Sequence, residues 1–317
     1  MVPRISSRFV SAVALYGPKA EPVLGMFVRV QALITGHLGD AFLPYSLAQI
    51  HATLIAFNGV RDPETGAIVN EYFFEHTGTG RAMDIDLAMR ILTERFARPL
   101  PVRVGGYRPG DQVPFRSQGQ HLYQRTFSVQ ASPGRPSPRQ QGAFVLVGWP
   151  TSPGLPLNRL RRDLNAAGLL HRYHAREDDI DGDLHIVVGH HRGAPARVLD
   201  GAVAAVRDEL AAHPVEFGIA IGDVKVVAAD SHTMAPPLYA GGLPVDASTV
   251  VALTGCLPLL ADRMCFSGAW AVSPSQRCAR RHATSLPLRA LCSPRPSPPR
   301  PAGRITCEID ASCDSDV

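Results

Sequence analysis

Two short strings carry residue types suited to acid–base chemistry: Ile50–Phe57, read IHATLIAF, and Asp183–Gly189, read DLHIVVG. Side chains on a strand alternate faces with period two. In the first string Ile50, Ala52 and Leu54 therefore share one face, and His51 and Thr53 share the other. In the second, Leu184, Ile186 and Val188 share one face and His185 and Val187 the other. An imidazole titrates near neutrality, so two of them can serve as opposed proton acceptor and donor without a metal. A hydroxyl two residues on can donate to an oxygen that gains negative charge during reaction. Val187 has no such donor. Taken singly, each histidine also fits a structural place at the rim of an apolar core.

The elements around these strings repeat. Arg8–Leu15 reads as a strand, and Glu21 to about Gly36 as a helix with Pro22 in its first turn, where a missing N–H costs nothing. After the Ile50–Phe57 strand, Asp84 is placed to cap a helix that turns Ile85, Ala88, Leu92 and Phe96 inward. Pro101–Tyr107 follows as a strand. The order then returns: strand Ala143–Val147, helix Leu157–Leu170, strand Leu184–Val188, a helix with Leu199, Val203, Val206 and Leu210 on one face, and strand Val215–Ile221. Val10 to His51 is 41 residues, and so is Phe144 to His185. The spacing predicts an α+β body of two similar lobes, roughly 8–110 and 120–235, each a small, mostly antiparallel sheet with helices outside.

Two histidines at matching positions of matched units resemble the 2H phosphoesterase superfamily, which includes the 2′-5′ RNA ligases and RNA 2′,3′-cyclic phosphodiesterases. The likeness covers roughly residues 8 to 230. HATL at 51–54 fits the superfamily's His-x-Thr/Ser motif, whereas HIVV at 185–188 keeps only the histidine. The resemblance implies two pseudo-symmetric lobes around a central cleft, with catalytic His51, Thr53 and His185. It implies a metal-independent phosphodiesterase acting on a nucleotide or RNA end with a 2′,3′-cyclic or 2′-5′ linkage. His185 is expected as base and His51 as acid, with no cofactor and no metal. Losing one hydroxyl donor typically costs about 10²–10³ in turnover. Two alternatives therefore stay open: a 2H-like module that binds RNA ends or nucleotides without turnover, and an uncharacterised structural protein.

Other motifs add less. Ser117–Ser128 (SQGQHLYQRTFS) offers Arg125 for a phosphate and Tyr123 for stacking on a base, with Val187 completing the substrate-binding set, although a solvated hairpin explains the segment as well. His171 and His174, with His190 and His191, lack a carboxylate at ligand spacing and read as surface histidines. The run 177–183 (EDDIDGD) lacks the order of a calcium loop and reads as a solvated turn. GTGR at 78–81 is too short for a phosphate loop, and the HAT at 282–284 sits outside any strand pattern.

Composition bounds the rest. The chain has 317 residues, 45% hydrophobic and 19% charged, with net charge +4. Up to residue 248 there are 24 basic and 23 acidic side chains, so a duplex-coating protein is not expected. No apolar run has the length and freedom from charge of a membrane span, and the first residues read as a strand rather than a signal peptide. All six cysteines lie after residue 255, which leaves a cysteine-free body suited to a reducing cytoplasm. The body is placed at 1–240, and residues 241–317, rich in Pro, Arg and Ser, are expected to be a disordered tail.

Overall fold

A computed structural model describes residues 8–78, 80–131, 141–171 and 180–254. The cysteines, most of the expected tail, His174, the HAT at 282–284 and the acidic residues 177–179 lie outside them. In chain order the strands are β1 (Phe9–Ala14), β2 (Phe42–Pro44), β3 (Ala52–Ala56), β4 (Gly59–Arg61), β5 (Ile68–Asn70), β6 (Leu100–Val104), β7 (Phe127–Ala131), β8 (Gly142–Pro150), β9 (Leu184–His191), β10 (Val215–Ile219), β11 (Val224–Ala229) and β12 (Tyr239–Gly242). The helices are α1 (Val23–Leu38), α2 (Glu71–Thr77), α3 (Ile85–Arg95), α4 (Leu122–Thr126), α5 (Pro156–Asn165), α6 (Ala196–Ala212) and α7 (Ala247–Leu253). The molecule is α+β, built on a large antiparallel sheet with a second small one.

The large sheet has ten strands. Its main path runs β10-β6-β8-β9-β3-β1-β11-β12, with β2 beside β9 and β7 beside β8. Every pairing in it is antiparallel. The repeat read from spacing appears as β1-α1-β3 and β8-α5-β9, and the two middle strands pair at the centre. Later strands cross over: β6 comes from the first unit but pairs with β8, whereas β11 comes from the second and pairs with β1. Val215–Ile221 forms β10 only to Ile219 and lies outside β6, while β11 is a strand the sequence reading did not contain.

Local chemistry accounts for the element ends. The Asp84 carboxylate accepts the Leu87 N–H at 2.9 Å and starts α3, and Ile85, Ala88, Leu92 and Phe96 are buried as the period required. α5 stops at Asn165, short of Leu170, because the chain turns at Gly168 with φ +74°. One main core joins the inward faces of α1, α3, α5 and α6 to one face of the sheet. Two smaller apolar clusters lie on the sheet's other face. No described helix is long and apolar enough to cross a membrane.

Candidate active site

β3 and β9 meet at Ala52↔Ile186. Ile50, Ala52, Leu54, Leu184, Ile186 and Val188 are fully buried in the main core. His51, Thr53, His185 and Val187 therefore turn to the other face, where all four are partly exposed. The pairing of β3 with β9 is confined to this position, and one residue to either side of it come His51 and Thr53 on β3 and His185 and Val187 on β9. His51 and His185 thus each stand one residue from the pairing point, on the same face of the sheet. A local two-fold through Ala52 and Ile186 carries His51 onto His185 and Thr53 onto Val187.

The flanking strands obey the same symmetry. Val13 of β1 stands opposite Thr53, and Val145 of β8 stands opposite Val187. Val13 belongs to one small cluster with Val227, Ala229 and Met234. Val145 belongs to the other, with Leu122, Ala143, Val147 and Trp149, and Val187 packs against it. The histidines occupy the strip between two apolar banks.

The two imidazoles are held differently. His51 Nδ1 lies 2.7 Å from the Gln49 carbonyl oxygen, which keeps a proton on Nδ1 and, in the neutral ring, leaves the lone pair on Nε2. The Tyr16 ring lies 5.8 Å away, anchored by its hydroxyl donating to the Met234 carbonyl at 2.8 Å. Burial pushes the His51 pKa down; the Gln49 bond opposes this and the Lys19 charge adds to it. His51 is accordingly neutral at pH 7.

His185 Nε2 accepts from Arg125 Nη2 at 2.8 Å, with Asp183 Oδ2 3.6 Å away. Asp183 is 2% exposed and heavily bonded. It accepts from Ser117 Oγ at 2.6 Å, Trp149 Nε1 at 2.7 Å and Arg125 Nε at 3.0 Å. Burial alone would raise its pKa. The Ser117 hydrogen bond and the Arg125 charge outweigh burial, and the carboxyl stays well below the usual carboxylate range. Behind it, Arg161 donates to the Asp181 and Asp183 carbonyls, both at 2.9 Å, and pairs with the Asp181 carboxylate at 3.0 Å. This clamp fixes the chain just before β9.

The sequence reading missed Asp183, Ser117 and Trp149. The solvated turn it expected at 177–183 fails at Asp181 and Asp183, both buried. The usable signal was position: Asp183 precedes His185 by two and so shares its side of the chain. Ser117–Ser128 is likewise more than a hairpin, since α4 and the start of β7 lie within it. Arg125 joins His185, but Tyr123 does not. Its hydroxyl donates to Asp208 at 2.7 Å, beside the Arg207 guanidinium.

Among the described residues one trio can offer a metal three ligand atoms: Asp181, Asp183 and His185, all within 4.8 Å. Arg125 and Arg161 already neutralise its two carboxylates, so the trio is an ion-pair network. Among the described residues the other histidines form no second such group: His171 lies 3.8 Å from Asp181, His190 bonds the Tyr45 hydroxyl at 2.7 Å, and His191 is buried against Phe144.

No family model and no curated protein matches the chain. Among solved structures, TT0787 of Thermus thermophilus is 15% identical, with 74% of this chain and 97% of that one covered and a TM-score of 0.32. Kluyveromyces marxianus Usb1, solved with uridine monophosphate, is 10% identical, with 75% and 99% covered and a TM-score of 0.34. Likeness this low transfers no function, and the site's own geometry must carry the reading.

Proposed function

We propose that the chain is a metal-independent phosphodiesterase of the 2H type, acting on a nucleotide or RNA end with a 2′,3′-cyclic or 2′-5′ linkage. The observation that carries this reading is the β3–β9 pairing at Ala52↔Ile186, which turns His51, Thr53 and His185 to one accessible face. On a cyclic phosphate, His51 Nε2 takes a proton from water as the water oxygen bonds to phosphorus. The bond to the 2′ or 3′ oxygen breaks, and His185 supplies the proton that oxygen needs. Solvent later returns a proton to His185 and removes one from His51. The Thr53 hydroxyl donates to a non-bridging oxygen and stabilises its growing charge.

The hydrogen bonds support His51 as base and His185 as acid, the reverse of what the resemblance implied. His51 is held neutral with an open Nε2, which suits a base, and the acid role then falls to His185 on the other strand. Arg125 now donates to His185 Nε2, so that atom gains a proton only when the guanidinium shifts. A phosphate is the ligand such a fork would shift onto.

Binding without turnover is the second reading. It is favoured by Val187 packing in an apolar cluster and by the hold of Arg125 on His185. The test is 2′,3′-cyclic AMP and a cyclic-phosphate oligonucleotide, each with EDTA. Turnover should persist in EDTA and fall by about 10²–10⁴ in His51→Ala and in His185→Ala. Tight binding with no turnover supports the second reading, and activity indifferent to both substitutions overturns the first.

A further inference from the structure

The chain contains two lysines, Lys19 and Lys225, and the fold brings both to the His51 side of the site. Lys225 of β11 stands opposite Val13, which stands opposite Thr53. Lys225 therefore lies in the same row across the sheet, two strands or roughly 10 Å from Thr53. Its Nζ rests over Gly17, 2.8 Å from where a Cβ there would stand; Gly17 has φ +97°, a conformation suited to glycine. Lys19 Nζ donates to the carbonyls of Gly17 at 2.9 Å and Leu47 at 2.5 Å. One short loop thus carries the first ammonium and lies under the second. The same loop is fastened to the lead-in of His51, for Gly17 N donates to Ala48 O at 2.8 Å and the Tyr16 ring stands beside the imidazole.

Neither ammonium has a carboxylate within 4.0 Å among the described residues. Both are partly buried, so solvent does not screen them fully. Burial and the Lys225 charge lower the Lys19 pKa to about 8, which still leaves it mostly charged at pH 7. Two like charges converging without a counter-ion are unfavourable until an anion arrives.

Resting on the phosphodiesterase reading above, we propose that Lys19 and Lys225 receive a second phosphate of the ligand, so that the preferred ligand bears a phosphate besides the one at the histidines. That phosphate belongs either to the same nucleotide, at its 5′ position, or to the linkage toward the preceding nucleotide. Both present the same chemistry.

The test compares kcat/KM for 2′,3′-cyclic AMP, for its 5′-phosphorylated form and for the ApA dinucleotide ending in a cyclic phosphate. At least one doubly phosphorylated substrate should exceed plain cyclic AMP by roughly tenfold or more, and which one does so identifies the source. The ratio should shrink as salt is raised and approach one in Lys225→Gln. Lys225 is the residue to change first, because Lys19 also braces two carbonyls and its loss can disturb the loop. A ratio unaltered by Lys225→Gln, or near one in the native chain, overturns the proposal. If no cyclic substrate turns over, the phosphodiesterase reading fails, but titration with inorganic pyrophosphate still decides the lysine site. Weaker binding in Lys225→Gln supports it, and equal binding in native and variant chains overturns it.

Discussion

Val187 is where the two halves of the site differ in chemistry. It follows Ile186 of the β3–β9 pairing as Thr53 follows Ala52, so the local two-fold relates it to Thr53. Val187→Thr should raise turnover of a cyclic nucleotide, by up to about the 10²-fold that one donor supplies, at a stability cost of about 1 kcal/mol for a hydroxyl against the Leu122–Val145 cluster. Unchanged kinetics in a folded variant would show that the missing donor is not limiting. Asp183 sets a second expectation. Its pKa is lowered in the folded chain, so the stability it contributes is full above the unfolded value near 3.8 and is lost as pH falls below that. Asp183→Asn leaves Arg125 without its carboxylate and should cost about 3–5 kcal/mol in urea unfolding at pH 7, with a smaller penalty at pH 3. The histidines were legible from strand alternation alone. Their support was not: Ser117 lies 66 residues and Trp149 34 residues from Asp183, and only the folded sheet brings them together.

At the scale of elements, period and caps were readable wherever a segment had one wet and one dry face. Asp84 and the inward face of α3 are such a case. β11 was not readable, because VKVVAA shows no alternation: Val224, Val226, Val227, Ala228 and Ala229 are all buried, on both faces. The end of β6 was misjudged for a related reason. Pro101–Tyr107 has the composition of a strand, yet Gly105 and Gly106 take φ +80° and +78° and break it after Val104. A Cβ on Gly105 would also stand 2.1 Å from the Leu210 carbonyl oxygen of α6. Gly105→Ala should therefore destabilise the chain by about 2 kcal/mol or more, combining backbone strain with a backbone clash. Removing the α3 cap with Asp84→Ala should cost only about 1 kcal/mol. Thermal unfolding of the two variants should rank them in that order, and the reverse ranking would show that the strand–helix contact at Gly105 yields easily.

For the molecule as a whole, the equal 41-residue spacings mark the repeated strand–helix–strand order but not how the two runs interlock. Spacing within a unit says nothing about which unit a later strand joins, since that choice depends on edges exposed only after both units form. In the folded chain β6 leaves the first unit to pair with β8, and β11 leaves the second to pair with β1. A fragment ending after β6 would lack the β11 partner of β1 and the β9 partner of β3, and would keep β6 with nothing of its own to pair against. A fragment beginning at α4 would lack the β6 partner of both β8 and β10. Each would expose long unpaired strand edges and half of the main core, which spans both units. Residues 1–118 and 119–262 expressed alone should therefore show no cooperative thermal transition and should aggregate, whereas co-expression should restore a soluble pair with the transition of the intact body. The crossover also bears on function, because β3 and β9, which present His51 and His185, come from different fragments. Either fragment alone should be inactive on a cyclic phosphate, and activity should return in proportion to the reassembled pair. Cooperative folding of a lone fragment would mean that the exchanged strands are accessory to the core rather than its framework.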